Sequence, residues 1–227
     1  MKRFYKDATV ENGAILLDGR PVRTPKRAAL VIPVAAVAQA VADEWRAQGE
    51  TIDPRTMPFT GLANAAIDIV APDPAAFGVS LAAYGETDLL CYRADAPVEL
   101  VAVQAAAWDP LLDWARARYD VHFELASGIV HVPQPPATVA RLGEALLARD
   151  AFALVPMSPL VTIGGSLIVA LALAEGAIGA DAAFDVTHFD ELWQAKKWGE
   201  DALALKTREA RRADFLAAAR FLELQNL

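Results

Sequence analysis

The feature that most constrains the fold is a change of hydrophobic period at Pro33. Before it, "GAILLDGRPVRTP" sets an apolar run ahead of the hairpin-type dipeptide Asp18-Gly19, and "AALVIP" is a second β-favouring run. After it, apolar residues recur at helical spacing at Val34, Val37, Ala38, Val41 and Trp45. The pattern predicts a small antiparallel sheet followed by an amphipathic helix with Trp45 on its buried face.

Two prolines in "APDPAA" mark the predicted domain boundary. Asp73-Pro74 is a helix start, and nearly everything beyond it has helical periodicity. Within this part, Pro110 is expected to end one helix so that Asp109 caps the next, and "VHFELASGIVHVP" at residues 121–133 is expected to form a β-hairpin. We therefore predict an α+β protein: an N-terminal α/β domain over residues 1–71 and a larger, mainly helical domain over residues 72–227.

The most hydrophobic stretch, "LVTIGGSLIVALALAEGAI" from Leu160, raises the question of a membrane span. It is broken by Glu175 and Gly176 before it reaches about 20 residues, which is the length that a spanning helix needs. We predict a buried core helix and no membrane insertion.

Composition limits the classes of function. The chain has 227 residues and a formal net charge of −8, which opposes binding to a phosphate backbone and disfavours a nucleic-acid partner. Its single cysteine, Cys91, permits neither an intramolecular disulfide nor a Cys-x-x-Cys site. The start "MKRFYKDATVENG" has no apolar signal region, so we expect a cytoplasmic protein without a leader peptide.

The segment "DVTHFDELWQAKKWGED", residues 185–201, is the richest in chemistry. On one continuous helix, a single stripe would hold Phe184, His188, Glu191, Ala195 and Trp198. An imidazole and a carboxylate beside apolar groups could form an acid–base pair, so a small cytoplasmic enzyme that uses Glu191 and His188 is one hypothesis. No nucleophile or cofactor cradle stands near them.

Other ligand sites are weakly supported. His122 and His131 lie on the predicted hairpin, away from His188, so a three-ligand metal site is not expected. "TIGGSLIVAL" lacks the spacing and the Lys of a phosphate loop, and its glycines are better explained by close helix packing. We predict no metal, no cofactor and no small-molecule substrate.

Six segments, taken in order, resemble a known family. They are "RFYK", "LDGRPVRTP", "EWRAQGETIDPRTMPFTGLANAAID", "DLLCYR", "QAAAWDPLLDWA" and "ELWQAKKWG". Each is weak alone, but in this order they resemble the assembly chaperones for the α subunit of the F-type ATP synthase catalytic head. The resemblance implies a small N-terminal α/β domain, a larger helical domain and no catalytic activity.

The resemblance also implies a partner and a place for it. A chaperone of this family holds the new α subunit until the β subunit replaces it, and an acidic residue of the family's last motif maps onto Glu191. Leu192-Trp193 stands where eukaryotic relatives often have an acidic-aromatic pair, which argues for a bacterial setting. Trp193 lies off the predicted buried stripe and could anchor a partner. The predicted partner-binding residues are Glu191, Trp193, Gln194 and Trp198, with Glu191 serving either as a direct contact or as an internal strut.

Overall fold

The computed structural model describes residues 1–128 and 131–226, and its first part is the predicted antiparallel sheet. The sheet is a meander in the order β1 (Ala8–Glu11), β2 (Ala14–Leu17) and β3 (Arg20–Pro21). The β2–β3 turn is Asp18-Gly19, where both residues have positive φ as a tight hairpin turn requires. The "AALVIP" run adds isolated bridges to the sheet rather than a strand, pairing Val31 with Ala14 and Ala29 with Arg23.

A second glycine turn, Asn12-Gly13, joins β1 to β2. Both residues again have positive φ. A Cβ on Gly13 would lie 2.5 Å from the carbonyl oxygen of Ile32, so this position accepts only glycine. The close approach brings the run after β3 back against the sheet.

The first helix, α1 (Ala35–Arg46), confirms the predicted amphipathic pattern. Its buried face holds Val37, Ala38, Val41 and Ala42, while Trp45 is half-buried against the core. The Glu44 carboxylate accepts hydrogen bonds of 2.7 Å from the amides of Phe59 and Thr60. These amides begin α2 (Pro58–Ala65), so a side chain of α1 satisfies the first turn of the next helix.

The remainder of the described chain is mainly helical. A π-helical turn, Ala66–Val70, continues α2, and Asp73 caps the next helix through a 2.9 Å bond from the Ala76 amide, as predicted. The further elements are α3 (Pro74–Ala82), β4 (Tyr92–Arg93), α4 (Val98–Tyr119), β5 (Ala126–Ser127), α5 (Pro136–Leu147), α6 (Ala151–Leu154), α7 (Met157–Gly164), α8 (Leu167–Ala174), α9 (Ala180–Thr187), α10 (Phe189–Trp198) and α11 (Ala202–Glu223). Short 3-10 turns lie at Pro54–Thr56, Ala83–Glu86, Leu89–Cys91 and Leu224–Asn226.

The predicted break at Pro110 is wrong, because α4 runs through it without interruption. Pro110 is on the exposed side of the helix, so the carbonyl that it leaves unpaired, that of Ala106, also faces solvent. On the opposite side Trp108 and Leu112 are fully buried. The proline therefore lies away from the packed side of α4, which continues past it.

The predicted β-hairpin over residues 121–133 is also corrected. Ala126 and Ser127 form β5, which pairs in parallel with Tyr92 and Arg93 of β4. Residues 129 and 130 of that run lie outside the described residues. The preceding residues, Val121 and Phe123, are buried in the core but belong to no strand.

The hydrophobic stretch from Leu160 is buried, as predicted, but it forms two helices. Gly165, with φ of +68°, ends α7 in the left-handed conformation, and α8 begins two residues later. A Cβ on Gly164 would approach Thr187 Cγ2 to 3.2 Å, which agrees with the predicted close packing. In the described residues no single helix is long and apolar enough to cross a membrane. One pair of helical segments, Pro58–Val70 and Pro74–Cys91, has the necessary length and apolar composition when the two are taken together, but they are bent by 109° relative to each other.

A fully buried carboxylate starts α8. Asp88 accepts hydrogen bonds from Ser166 Oγ at 2.7 Å and from the Ile168 amide at 3.0 Å, and burial raises the pKa of its carboxyl to about 6. Ser166 in turn caps the helix through the Val169 amide. The most apolar helix of the protein is thus anchored by one polar pair at its first turn.

One continuous core unites residues on both sides of position 71. Ile15, Leu30 and Val41 belong to the same buried cluster as Trp108, and a smaller cluster under the sheet contains Tyr5 and Leu17. The division into domains at residues 1–71 and 72–227 stays a prediction.

Candidate functional site: the surface of α10

The segment that the sequence singled out is two helices rather than one. α9 ends at Thr187 and α10 begins at Phe189, with His188 between them at φ −107° and ψ 21°. The Thr187 hydroxyl donates back to the carbonyl of Phe184 at 2.9 Å, which closes the end of α9. The break changes the helical phase, so the predicted stripe from Phe184 to Trp198 does not exist as one face.

His188 is buried at this junction. Its ring stacks on Phe184 with centroids 3.9 Å apart, and its Nδ1 lies 3.0 Å from the Phe184 carbonyl oxygen. Burial lowers the pKa of His188, since the charged imidazolium would lose its hydration there. The ring therefore packs as a neutral, hydrogen-bonded part of the core.

Glu191, one turn further on, joins α10 to α11. Its Oε2 lies 3.2 Å from Arg211 Nη2 and its Oε1 lies 3.4 Å from Arg208 Nη1. Arg208 is buried and also pairs with Glu200, beyond the end of α10. The Glu191 side chain is one-third exposed, so its carboxylate is paired within the chain while its edge still reaches solvent.

Helix α10 buries none of its residues completely, and polar contacts attach its opposite side to α4. Gln104, buried in α4, donates through Nε2 to Asp190 Oδ1 at 3.1 Å and accepts through Oε1 from the Ala94 amide at 2.9 Å. Trp108 Nε1 donates to the Val186 carbonyl in α9 at 2.9 Å. Hydrogen bonds therefore connect α10 to α4, and ion pairs connect it to α11.

An open apolar groove of about 550 Å³ runs between α4 and α10, and we call it the α4–α10 groove. Its apolar walls are Val103 and Ala107 from α4, Ala182 and Val186 from α9, and Phe189, Leu192 and Trp193 from α10. Two charged side chains, Asp185 and Lys196, stand at its edge. A mixed surface of this kind, apolar at its centre and charged at its rim, is typical of protein-binding sites.

Two tryptophans extend this surface to the end of α10. The rings of Trp193 and Trp198 meet edge to face with centroids 5.6 Å apart, and Lys197 Nζ lies 4.5 Å from the Trp193 centroid. Trp193 is half-buried in the groove wall, whereas Trp198 is 69% exposed. A single stripe would bury Trp198 and expose Trp193. The opposite is observed, because the helix break turns Trp198 outward. Gln194 is exposed on the same helix.

The acid–base hypothesis finds little support in this geometry. The Nδ1 of His188 is engaged by Phe184 and Thr187, and both oxygens of Glu191 are engaged by arginines. Among residues 1–128 and 131–226 no group of three or more His, Cys, Asp and Glu is placed to hold a metal. Burial raises the pKa of Cys91 to about 12, so this thiol is not a nucleophile near neutral pH.

Sequence reasoning found the α10 side of the groove but missed the α4 side. Val103 and Ala107 are apolar at i and i+4, on a helix whose buried face is already formed by Gln104, Trp108 and Leu111. A second apolar face on one helix is the signal that would have indicated a surface for another element or a partner.

Comparisons with known proteins decide the family. The model of the ATP12 chaperone protein family matches residues 2–116. The chain belongs to the ATP12 chaperone family. A mitochondrial atp12 protein of Schizosaccharomyces pombe is 26% identical over 219 residues, covering 88% of this chain and 75% of that protein.

Two solved bacterial structures resemble the whole chain. The crystal structure of Atp12 from Paracoccus denitrificans is 42% identical, with a TM-score of 0.93 over 99% of this chain and 98% of that one. A structure from Agrobacterium tumefaciens is 43% identical, with a TM-score of 0.93 over 98% of this chain and 85% of that one. The resemblance inferred from the six sequence segments is confirmed, and this ATP12 chaperone shares the fold of its bacterial relatives. Its family function is that of an ATP synthase assembly chaperone.

Proposed function

We propose that this ATP12 chaperone binds the free α subunit of the F-type ATP synthase catalytic head and releases it for assembly with β. The α subunit packs between neighbours in a hexameric head, so it leaves apolar surface bare until they arrive. Such surface aggregates unless something covers it. We propose that the chaperone covers this surface with its α4–α10 groove and the exposed face of Trp198. We assign the contacts to Trp193, Gln194 and Trp198.

The observation that carries this proposal is an unfilled apolar groove beside a 69% exposed tryptophan, on a helix that buries none of its own residues. Large aromatic side chains at the centre of a contact supply much of the binding energy in protein interfaces. Around them lie the charged residues Lys196, Lys197 and Asp185. Their polar contacts with a partner can be replaced by water when the complex separates. This suits a chaperone, which has to let its client go.

Glu191 has a supporting part in the proposal. Its pairs with Arg208 and Arg211 fix α10 against α11 and so set the width of the α4–α10 groove. Its one-third exposure leaves room for a direct contact at the rim as well. We propose the first role as the principal one, since both carboxylate oxygens already have partners within the chain.

Co-expression tests the choice of subunit. A tagged form of the chain is produced together with untagged α subunit, untagged β subunit, or both, and bound protein is recovered by affinity chromatography. We expect α to co-purify near one to one, β not to co-purify, and added β to displace the chaperone from α. Recovery of β but not α would contradict the proposal.

A matched pair of variants tests the choice of surface in the same experiment. Trp198→Ala removes an exposed aromatic group from the proposed contact, and Val79→Ala removes an exposed aliphatic group from α3, where Val79 is 61% exposed. We expect the first to reduce recovery of α and the second to leave it unchanged. The cytoplasmic location and the absence of metal, cofactor and catalysis stay predictions.

A further inference from the structure

The charge of the chain is unevenly distributed. Residues 1–27 contain seven Lys and Arg and three Asp and Glu, a formal charge of +4. Since the whole chain carries −8, residues 28–227 carry −12. The basic segment is the one that folds into the three-stranded sheet.

One groove is lined by residues of this basic segment and by Trp45 of α1, and we call it the N-terminal groove. Its volume is about 660 Å³. Its apolar wall is formed by Met1, Phe4, Leu17, Val22 and Trp45, and Arg20 and Arg23 stand at its rim. Met1 is 76% and Phe4 66% exposed, so the wall presents large apolar side chains to solvent.

Aromatic rings give this wall a fixed shape. Tyr5 meets Phe4 and Trp45 edge to face, with centroids 5.4 Å and 5.7 Å away, and its hydroxyl donates to the Trp45 carbonyl at 2.6 Å. Arg3 donates to the carbonyls of Tyr5 and Lys6 at 3.1 Å and 2.9 Å, which pins the N-terminal segment in place. The groove is therefore preformed.

The charges of the rim are available to a ligand. Arg20 is exposed and has no ion-pair partner among residues 1–128 and 131–226, and Arg23 donates only to a backbone carbonyl, that of Arg27. The one acidic residue of the lining, Asp18, has its carboxylate occupied by the amides of Lys6 and Asp7 at 3.1 Å and 2.9 Å. The accessible electrostatic character of the groove is cationic.

We infer that the N-terminal groove is a second docking surface, and that it binds an extended acidic polypeptide segment carrying large apolar side chains. The guanidinium groups of Arg20 and Arg23 can pair with carboxylates of such a segment. The apolar side chains, which alternate along an extended strand, can pack against the aromatic wall. The occupant is a segment of a protein partner. This inference concerns a surface at the opposite end of the sequence from the α4–α10 groove, and it holds or fails independently of the proposed function.

Synthetic peptides test the inference directly. The probe is a fluorescein-labelled peptide of alternating Glu with Phe and Leu, and the two comparison peptides replace every Glu by Lys or every Phe and Leu by Ser. Binding to the full chain is followed by fluorescence anisotropy at low and high NaCl. We expect the acidic apolar peptide to bind, both comparison peptides to bind at least ten-fold more weakly, and salt to weaken the complex.

Variants locate the site. Arg20→Glu is expected to weaken binding at least ten-fold, and Phe4→Ser, at an exposed position, is expected to weaken it several-fold without loss of the fold. Arg141→Glu makes the same charge change at an exposed position of α5 and should leave binding unchanged. Equal loss in Arg141→Glu and Arg20→Glu would overturn the inference.

Three further outcomes would overturn it. The first is no binding of the acidic apolar peptide below millimolar concentration. The second is displacement of this peptide by single-stranded oligothymidine at equal or lower concentration, which would make the groove a nucleic-acid surface. The third is concentration-dependent dimerisation that Arg20→Glu abolishes, which would make a second copy of the chain the occupant.

Discussion

Glu191 Oε2 lies 3.2 Å from Arg211 Nη2, and this contact joins the helix that carries the proposed client surface to the last long helix of the protein. Arg208, buried beside it, approaches the other oxygen of the same carboxylate at 3.4 Å. The packing of α10 against α11 therefore depends on one partly exposed carboxylate and two cations.

Replacing Glu191 by Lys should loosen α10. The new ammonium would face Arg208 and Arg211, and buried Arg208 would keep only Glu200 as a partner. We expect a loss of about 1–2 kcal/mol in the free energy of unfolding together with weaker holding of the α subunit. Urea titration monitored by circular dichroism measures the first quantity.

Glu191→Gln is the matched control for the loss of charge alone. It keeps the size and one acceptor oxygen, so we expect a smaller loss than for Glu191→Lys. If Glu191→Lys unfolds at the same urea concentration as the parent but no longer holds α, then Glu191 is a direct partner contact. Unchanged stability and unchanged holding would remove it from the functional account.

Trp198→Ala should separate function from folding. Trp198 is 69% exposed and makes an edge contact with Trp193, so its removal costs the fold little. If it anchors the client, its loss should weaken the complex by about 2 kcal/mol, roughly 30-fold. Isothermal titration with α subunit measures the affinity, and a thermal melt of the free variant measures its stability. A lowered melting temperature with unchanged affinity would assign Trp198 a structural role.

Trp45 is expected to tolerate loss of its indole N–H but not a charge. Its Nε1 is buried without a hydrogen-bond partner among the described residues, while its ring packs against Tyr5. Trp45→Phe should therefore stay within about 2 kcal/mol of the parent, whereas Trp45→Arg should cost about 3 kcal/mol or more. Urea titration of both variants checks this. Equal stability of Trp45→Arg and the parent would show that the ring contributes nothing to the core.

Asp88 should make the protein more stable as the pH falls from about 7 to about 5. Burial raises the pKa of its carboxyl to about 6, above the value of about 3.9 in an unfolded chain. A folded-state pKa above the unfolded one contributes stability that is complete below the unfolded value and is lost as pH rises through 6. The contribution over this window is about 1 kcal/mol.

A variant isolates that contribution from other groups. His188 acts in the opposite direction, because burial lowers its pKa and its contribution is lost on acidification. Asp88→Asn should therefore remove the gain at pH 5 relative to pH 7, while the His188 effect persists. The same pH dependence in Asp88→Asn and the parent, measured by urea titration, would contradict the assignment.

Local signals predicted the elements that depend on neighbouring residues. The Asp18-Gly19 turn, the apolar face of α1 and the Asp73 cap follow from backbone preferences and periodicity within a few positions. The hairpin at residues 121–133 was wrong because β5 takes its partner from β4, some 34 positions earlier, and pairing over such a separation leaves no local pattern.

The proposed client surface, which consists of the α4–α10 groove and Trp198, was predicted from the sequence only on its α10 side. The reason is again that tertiary packing decides the rest. The phase of α10 depends on the break at His188, which is closed by bonds to the Phe184 carbonyl. Without that break, Trp198 falls on the buried stripe and Trp193 outside it. The wall from α4 depends on how α4 packs against α10, as the contact between Gln104 and Asp190, 86 positions apart in the sequence, records.

The most direct test of the central claim is refolding of the α subunit in the presence of this chaperone. Denatured α subunit is diluted into buffer without ATP, alone or with the chaperone at equimolar ratio, and light scattering is followed. We expect the chaperone to suppress scattering near equimolar ratio, and Trp193→Ala combined with Trp198→Ala to lose this effect while keeping the parent's circular dichroism. Scattering that is unchanged by the equimolar parent protein would contradict the account.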